Sequence, residues 1–257
     1  MGVKQSGVQM VQSATGLFLP TLAVVSGWRG AMALAAGACL LLGTALVALF
    51  VPSEAKPARQ HRRVRGARLP APVWWLSGFV FLAGIATQGA TFYLPLYGYE
   101  ELGLPVSAAG LLTAVVGTTG IAARIAWGRM AERIPGRVLM STLAIGGAGA
   151  VVLILVASTI HPAMVWLGAF LLGATAVAVN AVVMVSVIHS VPSHAIGRAS
   201  GVVALGMYLG FTAGPVSVGA LVDAVGHYSL AWATLAGIYL LALLAIAGYA
   251  RHSRSPY

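Results

Sequence analysis

The chain has 257 residues, of which 59% are hydrophobic and 8% charged, with a formal net charge of +10 at pH 7. A soluble domain carries about 25% charged residues, so this chain lacks the charge to cover a water-facing surface and reads as an all-α integral membrane protein. In a soluble protein such a basic excess would point to nucleic acid; here it reads as basic loops beside a lipid bilayer, and no nucleic-acid partner is expected. The single cysteine, Cys39, lies in an apolar run and excludes a disulfide framework or a cysteine-based metal site.

A bilayer core about 30 Å thick needs roughly 20 apolar residues of helix. On that criterion the chain predicts eight spans, at about 7–26, 30–51, 73–97, 106–127, 138–160, 162–188, 199–222 and 229–250. Before the first span stands only Lys4, and Gln5, Gln9 and Gln12 interrupt it, so it is no signal peptide. Short turns separate most spans: Gly27-Trp28-Arg29, Glu100-Glu101 to Pro105, His161-Pro162, Val191 to Arg198, and Asp223 to Tyr228. The connection 52–72 is longer, carries Lys56, Arg59, Arg62, Arg63, Arg65 and Arg68, and reads as a basic linker between 1–51 and a six-helix bundle at 73–250, with a tail at 251–257.

Lys and Arg set the orientation. With eight spans, one side collects Lys4, the linker charges, Arg124, Arg129, Arg133, Arg137, Arg198, Arg251 and Arg254; the other has Arg29 and the acids Glu100, Glu101 and Asp223. Both termini are therefore expected in the cytoplasm, with the protein in the cell membrane. Spans one and two also echo in spans seven and eight. Ser6-Gly7-Val8 and Gly16 recur as Ser200-Gly201-Val202 and Gly210 at an offset of 194, and Pro20 recurs as Pro215 at 195. A repeat of six spans in one orientation implies a parent of twelve, so four spans are expected to be missing from the front.

Between spans four and five runs GIAARIAWGRMAERIPGR, with Gly128, Glu132, Arg133, Gly136 and Arg137 in a compact charged turn. This resembles the loop signature of the major facilitator superfamily, with Glu where Asp is commoner and Pro135 inserted before the second glycine. The opening GVKQSG…LFLPTLAVVSGWR is similar to that family's fifth helix and the turn into the sixth. FYLPLYGYEELGLPVSAAGLL is similar to its seventh and eighth, and GRASGVVALGMYLGFTAGPVSVGALVDAVG to its eleventh. The resemblance implies helices five to twelve of a twelve-helix transporter of small solutes that works by alternating access. It also implies that the charged turn helps gate the cytoplasmic side, with Glu132 near Gly2–Ser6. A non-transporting short form, acting as an interaction or regulatory subunit, is the alternative.

Membrane-buried amides and hydroxyls seek partners inside a bundle or a water-filled cavity rather than lipid. The resemblance makes Gln9, Gln12, Gln88, Thr91, Asn180, Tyr208 and Thr212 candidates for a central substrate cavity; interhelical hydrogen bonding explains each of them singly about as well. Gly206, Gly210 and Gly214, spaced by four and followed by Pro215, suit close helix packing and a hinge. No Asp or Glu lies mid-span, which leaves proton coupling open. His189 and His194 read as interfacial side chains, and no metal, cofactor or catalytic motif is expected.

Overall fold

The computed structural model of the protein describes residues 2–50 and 69–252, without the side chains of residues 2–6, 8, 9 and 50. The linker residues 52–68 and the tail residues 253–257 lie outside it, as does the side chain of Gln9. Eight α-helices follow in order: α1 Gly2–Phe50, α2 Ala71–Glu100, α3 Val106–Met130, α4 Gly136–Leu155, α5 Met164–Ala174, α6 Val179–Ser190, α7 Ile196–Val225 and α8 Ser229–His252. With α5 and α6 taken as one broken segment, the described residues form seven helices long and apolar enough to cross a membrane. This is an all-α membrane protein.

Two predicted boundaries are drawn differently. The expected turn between spans one and two shrinks to one residue inside α1, Gly27, at φ 71° and ψ 161°. Only glycine adopts that region without strain, so the chain changes direction there without a loop. Beside it, the Arg29 guanidinium sits 5.0 Å from the ring centre of exposed Trp28, a pair suited to the headgroup region. The predicted sixth span is split into α5 and α6 by a distorted Thr175, φ −120° and ψ −65°, and a short 3₁₀ turn at Ala176–Ala178. Elsewhere helix starts follow proline, whose missing N–H costs nothing there: Pro70, Pro105 and Pro135 precede α2, α3 and α4. Gly226, left-handed at φ 78°, ends α7 by donating its N–H to Val222.

Lipid tails are as apolar as leucine, so these helices associate through close packing of small residues and through hydrogen bonds. α2 lies at the centre and packs most extensively on α7, then on α8. Gly206, Gly210 and Gly214 of α7 face α2, where a Cβ would run into backbone at Ser77, Phe81 and Ile85. The first arm of α1 meets α3 in the same manner: a Cβ on Gly16 would lie 2.7 Å from Ala114 N and 2.8 Å from Gly110 O. The second arm, after Gly27, carries exposed Leu40, Leu41, Leu42 and Leu49.

At one end of the bundle Tyr97 donates to Ile154 O (3.0 Å) and stands edge-on to Trp232. Tyr228 closes that end: its N–H donates to Glu101 Oε1 (2.7 Å) and its hydroxyl to Glu100 Oε2 (2.6 Å). Burial, then the bond to the Glu100 carboxylate, pushes the Tyr228 hydroxyl well above the usual tyrosine range.

Candidate functional site

A cavity of about 950 Å³ opens among α1, α2, α3, α6 and α7, at the upper end of the size that small-molecule sites occupy. α1 contributes Val11, Gln12 and Thr15; α2 contributes Gln88, Thr91 and Phe92; α7 contributes Met207, Tyr208 and Phe211. Arg124 of α3 and Asn180, at the start of α6, complete the polar wall.

The break between α5 and α6 shapes this wall. Ala178 N–H bonds to Thr175 O instead of reaching Ala174 O, so the Ala174 carbonyl loses its helical partner. Trp127 Nε1 donates to that carbonyl at 2.7 Å, and Arg124 Nε donates to Val177 O at 3.2 Å. Both donors belong to α3, three residues apart and so on one face. An irregular stretch at membrane depth persists where neighbouring groups satisfy its backbone, and here α3 supplies them.

Of the predicted cavity residues, Gln12, Gln88, Thr91, Asn180 and Tyr208 meet at this one cavity. Gln12 Nε2, Thr91 Oγ1 and Asn180 Oδ1 are buried without a hydrogen-bond partner among the described residues. Each such group would cost about 1–3 kcal/mol if left so, which suits a site that takes up something polar. Tyr208 is 62% exposed and stands edge-on to Phe211, ring centres 6.0 Å apart. Thr212 does not line the cavity. It is exposed, and its hydroxyl donates back to Tyr208 O at 3.0 Å, so the expectation of a cavity role for it is corrected.

Arg124 requires the larger correction. Counted in the sequence among the charges on the loop side, it is 8% exposed and forms part of the cavity wall. A cation inside a span is costly and, where it occurs, usually faces a bundle interior or a water-filled cavity rather than lipid, which is where Arg124 lies. Thr87 was also missed; it lines the cavity and shares a 2.8 Å hydrogen bond with buried Tyr239.

The charged turn lies away from the cavity. Glu132 and Arg133 are exposed, while Gly128, Gly136 and Arg137 are half-buried. The side chains of residues 2–6, expected to meet Glu132, are outside the described residues. His189 and His194 are exposed, and the described residues contain no cluster of His, Cys, Asp or Glu able to hold a metal.

The family model described as Major Facilitator Superfamily matches residues 1–215 and, in a second match, residues 100–256. No curated protein matches the chain.

Proposed function

The chain belongs to the major facilitator superfamily, and from that premise we propose that it carries a small solute through the cavity among α1, α2, α3, α6 and α7 by alternating access. The superfamily consists of membrane transporters rather than enzymes, so a secondary transporter is the general description. The observation that supports the cavity as the path is the meeting there of polar groups from separate helices, Gln12, Gln88, Thr91, Asn180 and Tyr208. Three of them hold atoms that no group among the described residues satisfies.

In this reading the two arms of α1 belong to one bundle and residues 73–250 to a second, joined by the basic linker 52–72. Rocking of one bundle against the other exposes the cavity to each side of the membrane in turn. The Gly206, Gly210, Gly214 and Pro215 face of α7 serves as packing surface and hinge. Gly128, Glu132, Arg133, Gly136 and Arg137 latch the cytoplasmic side. Both termini lie in the cytoplasm, on the side that holds most of the Lys and Arg.

Thiol accessibility tests the reading without knowledge of the solute. With Cys39→Ser as background, Thr91→Cys is treated with a membrane-impermeant maleimide in right-side-out and in inverted vesicles. Labelling from both faces is the expected result. Labelling from one face only would reject alternating access through this cavity and favour a non-transporting role.

A further inference from the structure

The cavity has a definite charge. Among the described residues the one charged lining residue is Arg124; the other polar lining residues are amides and hydroxyls, with no Asp or Glu. The whole chain contains five acids, Glu54, Glu100, Glu101, Glu132 and Asp223, none in the middle of a span. The described lining therefore carries a formal charge of +1 in an apolar surround that includes Val80, Phe92, Met207 and Phe211. Low-dielectric walls concentrate such a field and raise the local concentration of opposite charge.

Hydrogen-bonding capacity points the same way. A guanidinium offers five N–H donors in a planar fork that matches a carboxylate or sulfonate, and it cannot give up its charge. The bond to Val177 O holds Arg124 against the α5–α6 break, so the group is positioned before any solute arrives. Gln12 Nε2 and Thr91 Oγ1 are donors, and the two ends of the Asn180 amide exchange by a simple flip. The aromatic rings of Phe92, Tyr208 and Phe211 suit an apolar body behind the charge.

We infer that the cavity takes a small organic anion, a carboxylate or sulfonate on an apolar or aromatic body. Arg124 is its charge partner, and Gln12, Thr91 and Asn180 orient it. The inference rests on the reading of this cavity as the transport path.

The test uses two methanethiosulfonates of similar size as probes, the anionic sulfonatoethyl and the cationic trimethylammonioethyl reagent. The reporter is Asn180→Cys, three residues on from Val177, in the full chain with Cys39→Ser. The anionic-to-cationic rate ratio is divided by that of free 2-mercaptoethanol. It is expected to be at least tenfold raised with Arg124 present, largely kept in Arg124→Lys, and within about twofold of unity in Arg124→Gln. A ratio at or below unity with Arg124 intact, or a raised ratio that survives Arg124→Gln, overturns the inference and leaves the transport reading in place, because the cavity is then reachable. Failure of both reagents to react in the folded protein, with full reaction after denaturation, overturns both. If Arg124→Gln does not fold, the ratio with Arg124 intact decides alone.

Discussion

Trp127 and Arg124 direct polar atoms from one face of α3 at carbonyls on either side of the α5–α6 break. Trp127→Phe keeps a smaller aromatic ring and removes the donor to Ala174 O, so Trp127→His, which restores an N–H donor, serves as its control. An orphaned buried carbonyl costs about 1–3 kcal/mol, so purified Trp127→Phe is expected to melt several degrees lower in detergent; an unchanged melting temperature would mean that the break is not braced this way. Gln12, Gln88, Thr91, Asn180 and Tyr208 were legible in the sequence because polar side chains stand out against apolar spans. Arg124 was not. Its span was expected to end at Trp127, which put the charge within a turn of the loop. The helix runs on to Met130, which sets Arg124 about 9 Å inside its end at 1.5 Å per residue. Thr212 misled for the opposite reason: a threonine can satisfy its hydroxyl on the preceding turn and needs no partner from another helix.

Helix pairs carry the next level of specificity. Gly16 on α1 and Gly210 on α7 occupy echoed positions in the sequence, and each admits the backbone of another helix, α3 and α2 respectively. Gly210→Val would press a branched side chain into Phe81 O and Ile85 N, for which overpacking costs of about 1–3 kcal/mol are a lower guide. The folded yield is expected to collapse, while Gly201→Ala, with nothing within 4 Å of the added carbon, leaves it unchanged. Equal yields would refute close α2–α7 contact. The sequence located these glycines by spacing alone, but nothing in it identified α2 as the partner. The breaks at Gly27 and Thr175 were less legible. The Gly27 region was expected as a turn and is a single left-handed residue, and Thr175 lies in a long apolar run where the one nearby signal, Gly173, reads as an ordinary small residue of a membrane helix.

The Tyr228 cluster gives the α2–α3 and α7–α8 ends a pH signature. Below about pH 10, the ordinary tyrosine value, the hydroxyl is protonated folded and unfolded, and its contribution is complete. Above it, the unfolded form ionises while the folded form keeps its proton, so stability falls as pH rises. Thermal melts between pH 8 and 11 are expected to show a steeper alkaline loss in the native protein than in Tyr228→Phe. Parallel curves would exclude the cluster as the cause.

For the whole molecule, membrane class and the approximate span pattern were legible in composition and hydropathy, because apolar runs of bilayer length have few other uses. The loop charges support an orientation that protease access can check. Trypsin is expected to cut within the basic 52–72 linker in inverted vesicles and to spare it in right-side-out ones; the reverse pattern would turn the protein over in the membrane.

The central claim is that the first bundle moves against the rest about the cavity. Gly7 on α1 and Gly201 on α7 are exposed, have nothing within 4 Å of an added side chain, and correspond in the internal echo. With Cys39→Ser, spin labels at Gly7→Cys and Gly201→Cys, measured by pulsed dipolar spectroscopy in lipid bilayers, report the gap between α1 and α7 directly. Alternating access predicts two resolved distance populations; a single narrow distance under all bilayer conditions would contradict it.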